Sequence, residues 1–278
     1  MSEIKSVRSA ILFVAISFLL VPLIERFTLN TGGVIPYWGL IKWPSFLSST
    51  KVAEVPYQVQ IFSRDPLILH IKDFLSQDEI RHVLDASNGN YVTSRVWPDT
   101  VGYVDLDVRV SETATLRSDE IVKRIESRAL RLMGWRTDSF ELQELKVQRY
   151  GFNGFYTFHY DWMNNMKEGN RMTTFMIYLV DQCTGGGTNF PRLERPKDSR
   201  WCEVIECDDS DIPNDDDDEH YGGVTFKPIA GSAVYWENFH PNGTPHEGVR
   251  HAGLPVASGE KIGLNIFSWD YSWRPHDD

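Results

Sequence analysis

The chain is poor in cysteine and in positive charge, and each shortage narrows what it can do. Three of its 278 residues are cysteine, too few for a disulfide scaffold, and no CxxC spacing occurs from which to build a zinc site. Lys and Arg number 28 against 39 Asp and Glu, a formal net charge of -11. Such a balance lacks the positive surface that nucleic-acid phosphates require. No internal repeat is visible. No Ser/His/Asp or Cys/His set offers a convincing nucleophile. One disulfide among Cys183, Cys202 and Cys207 suits an oxidising compartment, but spacing does not say which pair forms it.

What is present suits one sizeable domain with a targeting segment. Hydrophobic residues make up 41% of the chain and aromatics 13%, enough for a large packed core. Lys5 and Arg8 precede an uncharged, mostly apolar run from Ser9 to Ile24, which Glu25 and Arg26 close. The run is long for a signal-peptide core, short for a full bilayer span, and no Ala-x-Ala-like cleavage site follows. It reads as an uncleaved signal-anchor over residues 1–26, in preference to a removed signal or a buried core helix. The basic flank stays cytoplasmic, and the remainder enters the secretory pathway at the endoplasmic reticulum. Residues 27–63 read as a Trp-, Pro-, Gly- and Ser-rich linker, and residues 64–278 as the folded domain. The acid is concentrated in "CDDSDIPNDDDDEH", Cys207 to His220, which reads as a solvated loop. Calcium binding and a partner-docking role are the functional alternatives.

Within the domain, Ser76 and Glu79 form a capping box that opens a helix over "QDEIRHVLDAS". A second helix starts after Ser118. Its apolar face is Ile121, Val122, Ile125, Ala129, Leu132 and Met133, and Gly134 ends it. Beyond it "LQELKVQRY" alternates, "TTFMIYLV" is a nearly continuous apolar run, and "GGVTFKPIAGSAVYWENF" and "KIGLNIFSWDYSW" read as strands split by turns. The expected class is α+β, mainly β: a two-sheet roll with the helices packed on one outer face.

The stretch "FYTFHYDWM" sets His159 two positions before Asp161. In a strand, residues i and i+2 share a face, so imidazole and carboxylate can converge on one cation. A lone HxD is a weak signal, and a third ligand must come from His240, His246 or His251. Two histidines and one carboxylate are the donor set of non-haem iron(II) oxygenases, with open positions opposite. A chelating keto acid then needs a cation for its far carboxylate. Lys261 fits if a hairpin brings it beside His251, because a lysine on the apolar strand "KIGLNIF" is costly to bury without an anion. A strand-end surface lysine is the competing reading.

The ordered set "QRYGFNGFYTFHYD", "RMTTFMIYLV", "GGGTNFP", "FKPIAGSAVYW" and "HAGLPVASGEK" resembles the prolyl 4-hydroxylase group of 2-oxoglutarate and iron(II)-dependent dioxygenases. The resemblance covers about residues 65 to 272. It implies a double-stranded β-helix, or jelly roll. It implies that His159, Asp161 and His251 hold Fe(II), with His251 chosen because it opens the "HAG.PV..G.K" pattern. Lys261 would pair with the distal carboxylate of 2-oxoglutarate, and Tyr150 and Thr188 would line the same pocket. Tyr156 and Arg171 match positions near a peptide substrate. Tyr156, Trp162 and Trp269 could form an aromatic groove for a proline helix. The lysine, rather than an arginine, favours the collagen-type and plant-type branch.

The chain also departs from the pattern. The family often has Trp after that lysine, another Trp six residues on, and His two further; here Ile262, Phe267 and Trp269 stand there. The chemistry is better supported than the substrate. The implied function is an enzyme hydroxylating prolyl residues of a Pro-rich secreted peptide or protein. It would use O2, decarboxylate 2-oxoglutarate to succinate, and take L-ascorbate as reductant. The alternatives are the same chemistry on a small molecule or another side chain, and a non-catalytic lumenal binding subunit.

Overall fold

The apolar run Asn170–Val180 is buried along nearly its whole length, and the domain is organised around it. The computed structural model describes residues 56–97, 101–134, 140–164, 166–207 and 222–275. The expected anchor at 1–26, most of the expected linker and the acidic run lie outside these residues. In chain order there are strands β1 (Gln58–Arg64) and β2 (Leu67–Lys72), helix α1 (Gln77–Ser87), strands β3 (Val92–Thr93), β4 (Arg109–Val110) and β5 (Glu112–Thr115), and helix α2 (Glu120–Met133). Strands β6 (Phe140–Leu142), β7 (Lys146–Tyr150), β8 (Phe155–His159), β9 (Asn170–Val180), β10 (Cys183–Gly185) and β11 (Thr188–Phe190) follow. The last five are β12 (Val224–Phe226), β13 (Ala233–Glu237), β14 (His251–Gly253), β15 (Val256–Gly259) and β16 (Lys261–Asp270).

Two antiparallel sheets carry the fold. The larger runs β1-β2-β13-β9-β16-β7-β5-β3, with β6 also paired to β16, and the smaller runs β12-β11-β14-β8-β4. A short β10-β15 ribbon joins them in neither order. Strand β9 supplies side chains to both faces of the larger sheet. Phe175, Ile177 and Leu179 enter a core shared with the helices, and Met176 and Tyr178 enter a second core shared with Phe190, Val224 and Phe226 of the smaller sheet. A strand buried on both faces reads as continuous apolar sequence rather than alternation. The expected two-sheet arrangement, helices on one outer face, is observed.

Ser76 caps α1 with the reciprocal Glu79 contact that the sequence announced. For α2 the cap is Asp119 rather than Ser118. Its carboxylate accepts the N–H groups of Ile121 and Val122, so the helix begins one residue later than the sequence suggested. Gly134 ends it at φ 39°, a value that favours glycine. Val122, Ile125, Ala129 and Met133 pack with Ile80 and Val83 over the larger sheet. Arg128 of α2 donates to both oxygens of Glu79 of α1, with both side chains buried.

One boundary is corrected. Gln58–Arg64 forms β1, paired with β2, so the folded part starts before residue 64 and takes in the end of the expected linker. Tyr57 also packs against the helix-side core. Among the described residues, no helix is long and apolar enough to cross a membrane.

Candidate metal and co-substrate site

His159 is the last residue of β8, and His251 opens β14, its neighbour in the smaller sheet; the ladder sets the two opposite each other. Asp161 does not continue the strand. It lies in the bend that follows, so the convergence expected from strand alternation is reached instead by the chain turning back. His159 Nε2 lies 3.7 Å from Asp161 Oδ1, and His251 Nε2 lies 3.6 Å from Asp161 Oδ2. One ligand atom from each residue falls within 4.8 Å of the others.

The ring nitrogens are assigned by their partners. His159 Nδ1 donates to the Thr157 carbonyl at 2.7 Å, and His251 Nδ1 donates to the Val249 carbonyl at 2.9 Å. With the proton fixed on Nδ1, each Nε2 presents a lone pair to the common point, as metal-binding histidines do. Burial, and then the neighbouring His251, hold the pKa of His159 down to about 3, so its imidazole is neutral. For Asp161 burial pushes upward. The two imidazoles, Arg171 and a hydrogen bond from Thr174 Oγ1 outweigh it and keep the group a carboxylate.

Tyr156 lies flat on His159, with ring centroids 3.6 Å apart and planes 18° from parallel. The Arg109 guanidinium covers the same tyrosine at 4.6 Å. Tyr156, expected as a wall of the substrate groove, thus also packs against the His159 ring. It lines the cavity nonetheless.

That cavity, of about 330 Å³, opens from His159, Asp161 and His251 and reaches Lys261. The expected hairpin between His251 and Lys261 does not form. β14 belongs to the smaller sheet, while Lys261 opens β16 of the larger one. The two residues therefore line one cavity from different sheets, with the β15 excursion between them. Lys261 is 2% exposed, so it is not a surface lysine. Among the described residues no carboxylate pairs with it. Its Nζ sits 5.4 Å from the Tyr150 ring and 5.5 Å from the Tyr178 ring. Burial lowers its pKa to about 8. Thr188 lines the same space and accepts a hydrogen bond from Tyr178 Oη at 2.8 Å. Gly186, at φ 70°, lies against the lysine stem, where an added Cβ would come 3.4 Å from Cδ.

Arg171 also lines the cavity; it donates to Gln143 Oε1 and lies over Phe267. Trp269 does not reach the cavity. Beside Trp269 the ladder shifts register through an extra residue of β9, Met172, while Trp269 keeps regular pairing with Glu141 of β6. Its indole packs instead where any side chain on Gly169 would stand. Arg109 was not anticipated. It is buried, donates through Nε to Ser111 Oγ, and leaves Nη2 with no partner among the described residues. No spacing signal marks it, because a cation inside a strand segment becomes a site residue only when the sheets are assembled.

A second His/Asp group, Asp65, His240 and His246, lies on other elements. There His246 Nδ1 accepts the Gly248 N–H at 3.0 Å. Its proton therefore sits on Nε2, which donates to Asp65 Oδ1 at 2.9 Å. That histidine is set as a hydrogen-bond donor rather than a ligand. The first cluster has the opposite tautomers. Two imidazoles with Nε2 turned inward and a carboxylate, facing an open cavity, fit iron(II).

Comparison with known proteins agrees with this geometry. The family model described as the 2OG-Fe(II) oxygenase superfamily matches residues 145–269. The chain is 28% identical over 207 residues to prolyl 4-hydroxylase subunit alpha-1 of Gallus gallus, covering 70% of this chain and 34% of that protein. It therefore spans about a third of that relative's length. It is 29% identical over 225 residues to probable prolyl 4-hydroxylase 4 of Arabidopsis thaliana, covering 78% of this chain and 72% of that protein. Among solved structures, the viral collagen prolyl hydroxylase of Paramecium Bursaria Chlorella virus-1, in its 2OG complex, matches with a TM-score of 0.52 at 22% identity. The match covers 73% of this chain and 96% of that one, and shows a shared fold.

Proposed function

The chain belongs to the 2OG-Fe(II) oxygenase superfamily and resembles its prolyl 4-hydroxylases, and on that premise we propose that it hydroxylates prolyl residues in a Pro-rich peptide or protein. His159, Asp161 and His251 would hold Fe(II), and Lys261 would receive the far carboxylate of 2-oxoglutarate between Tyr150 and Thr188. Bound iron would supply the redox chemistry that couples two oxidations by O2. One oxygen atom enters succinate as carbon dioxide leaves, and the other enters the substrate C–H bond.

The observation that carries the reading is a buried lysine that, among the described residues, has no anionic partner, in the same cavity as the His/Asp/His cluster. A buried ammonium is costly unless something neutralises it, and a dicarboxylate chelated at the cluster would do so. The protein's own residues then orient and exclude water. The backbone carbonyls of Thr157 and Val249 hold the imidazole rings, Tyr156 supports one of them, and Arg109 and Arg171 offer donors to a peptide backbone.

A second reading keeps the chemistry and changes the substrate to a small molecule or another side chain. What favours it is the cavity wall. Trp269 is withdrawn, and the wall includes Arg109, Ser94, Thr113 and Gln148, more polar than a proline groove needs. The deciding experiment incubates the protein with iron(II), L-ascorbate, 2-oxoglutarate and a panel of Pro-rich peptides. Succinate formation with peptides gaining one oxygen supports the prolyl reading, and peptide-independent succinate favours the second. No succinate with iron bound would leave a non-catalytic binding subunit.

The secretory compartment belongs to the same proposal. Its support is the apolar run from Ser9 to Ile24 and the Cys202–Cys207 disulfide, which leaves Cys183 as a free thiol. L-Ascorbate as reductant follows from that setting. A tag-accessibility assay on intact microsomes tests it, and a domain facing the cytosol would end it.

A further inference from the structure

Asp161 accepts a hydrogen bond at Oδ2 from Thr174 Oγ1, 2.8 Å away, and both groups are buried. Thr174 lies on β9 of the larger sheet, whereas the two histidines lie on the smaller one. The same Thr174 oxygen is 3.1 Å from Asn238 Nδ2, which also donates to the Arg171 carbonyl at 3.1 Å. Asn238 is fully buried and follows directly on β13. Its backbone is tied at both ends, N–H to the Met172 carbonyl and C=O to the His246 N–H.

The direction of this chain of bonds is forced. The Arg171 carbonyl can only accept, so the Asn238 amide must turn its NH2 toward it. The second hydrogen of that NH2 then occupies a lone pair of Thr174 Oγ1. The Thr174 hydroxyl proton is left to point at Asp161, whose ionised carboxylate can only accept. The amide holds this orientation at a cost, because Asn238 Oδ1 is buried with no partner among the described residues. Each donor in such a series polarises the next.

We propose that Thr174 and Asn238 are positioning residues for the metal: by engaging Asp161 Oδ2 from the opposite sheet, they fix the rotation of the carboxylate and hold Oδ1 toward the cation. This rests on reading His159, Asp161 and His251 as metal ligands. The imidazoles are held by carbonyls two residues upstream of each. Asp161, lying in a bend, has no such local brace, and Thr174 supplies the missing one. Outer partners of this kind are commonly worth 10–100-fold in metal affinity.

The test titrates the metal-free protein with cobalt(II) and follows the visible absorption of the bound ion, which reports affinity and coordination without turnover. Thr174→Val keeps the shape and removes the hydroxyl; Thr174→Ser keeps the hydroxyl. The expected result is cobalt affinity reduced about 10–100-fold in Thr174→Val and restored to within about threefold of wild type in Thr174→Ser. Metal-free thermal melting should be similar in all three. Asn238→Ala should show a smaller loss, and it carries the test if Thr174→Val does not fold. Cobalt affinity in Thr174→Val equal to wild type, or Thr174→Ser as weak as Thr174→Val, overturns the proposal while leaving the ligand set intact. A wild-type protein that binds no cobalt, and behaves like His159→Ala, removes the ligand reading itself.

Discussion

The ring of Tyr156 lies on the ring of His159 with centroids 3.6 Å apart, so a residue on the cavity wall is also a mechanical support for a member of the His/Asp/His cluster. The two roles separate by substitution. Tyr156→Phe keeps the stack and should leave iron or cobalt affinity within about twofold of wild type, whereas Tyr156→Ala should weaken it by roughly tenfold. Equal metal affinity in Tyr156→Ala, measured by titration, would leave only the wall role.

Lys261 should set the requirement for 2-oxoglutarate. Lys261→Ala removes a buried charge-assisted contact worth about 2–5 kcal/mol and should raise the KM for 2-oxoglutarate on the order of 100-fold. The kcat at saturation should change much less. Burial holds the lysine pKa near 8 in the free protein. The ammonium that binds the carboxylate is present below that value and lost above it. KM should therefore be flat below about pH 8 and rise about tenfold per unit beyond it. Steady-state assays from pH 6.5 to 9.5 check both. A Lys261→Ala enzyme with wild-type KM would mean that the co-substrate lies elsewhere.

His70 should make the fold acid-sensitive. It is buried beside Gln60, and burial, followed by repulsion from Lys72, lowers its pKa to about 4 from 6.5. The unfolded chain therefore binds the extra proton first. Its contribution is fully present above about pH 6.5 and is lost as pH falls through 6.5 toward 4, up to about 3 kcal/mol. Denaturant melts at pH 7 and pH 4.5 should differ by less in His70→Gln than in wild type.

Arg128 and Glu79 join the two helices without exposure to water. Removing only the arginine leaves a buried carboxylate unmatched, so Arg128→Met should cost about 3–5 kcal/mol. Arg128→Met combined with Glu79→Gln should recover part of that, because neither charge is then left alone. Urea midpoints of the two variants decide it. Equal midpoints would mean that the helices are held by their apolar faces alone.

The helices and the central strand were legible because their signals are local. Ser76 and Glu79 are three residues apart, and the apolar stripe of α2 recurs every three to four. The gathering of His159, Asp161 and His251 was legible as a pattern of motifs, yet its geometry was not. Asp161 reaches His159 through a bend rather than along a strand. Lys261 reaches the cavity through the opposite sheet rather than a hairpin. Both depend on which strand pairs with which, and pairing across more than eighty residues leaves no periodic trace. Arg109 and Thr174 were missed for the same reason, since each acquires its role from neighbours on another element. Trp269 lies outside the cavity wall, against Gly169, a placement that strand alternation alone does not give.

His251 stands opposite His159 on adjacent strands, so the spacing between the two imidazoles is not free to drift. It is inherited from the ladder, and a ladder moves only in whole residues. A slip of one position would carry His251 to the outer face of the sheet, and a slip of two would bring Gly253 or Val249 to its place. The site therefore cannot be loosened gradually by strain at a distance. It is either in register, with the two imidazoles opposite each other, or out of register and absent, so any metal affinity of the cluster would report the pairing of β8 with β14.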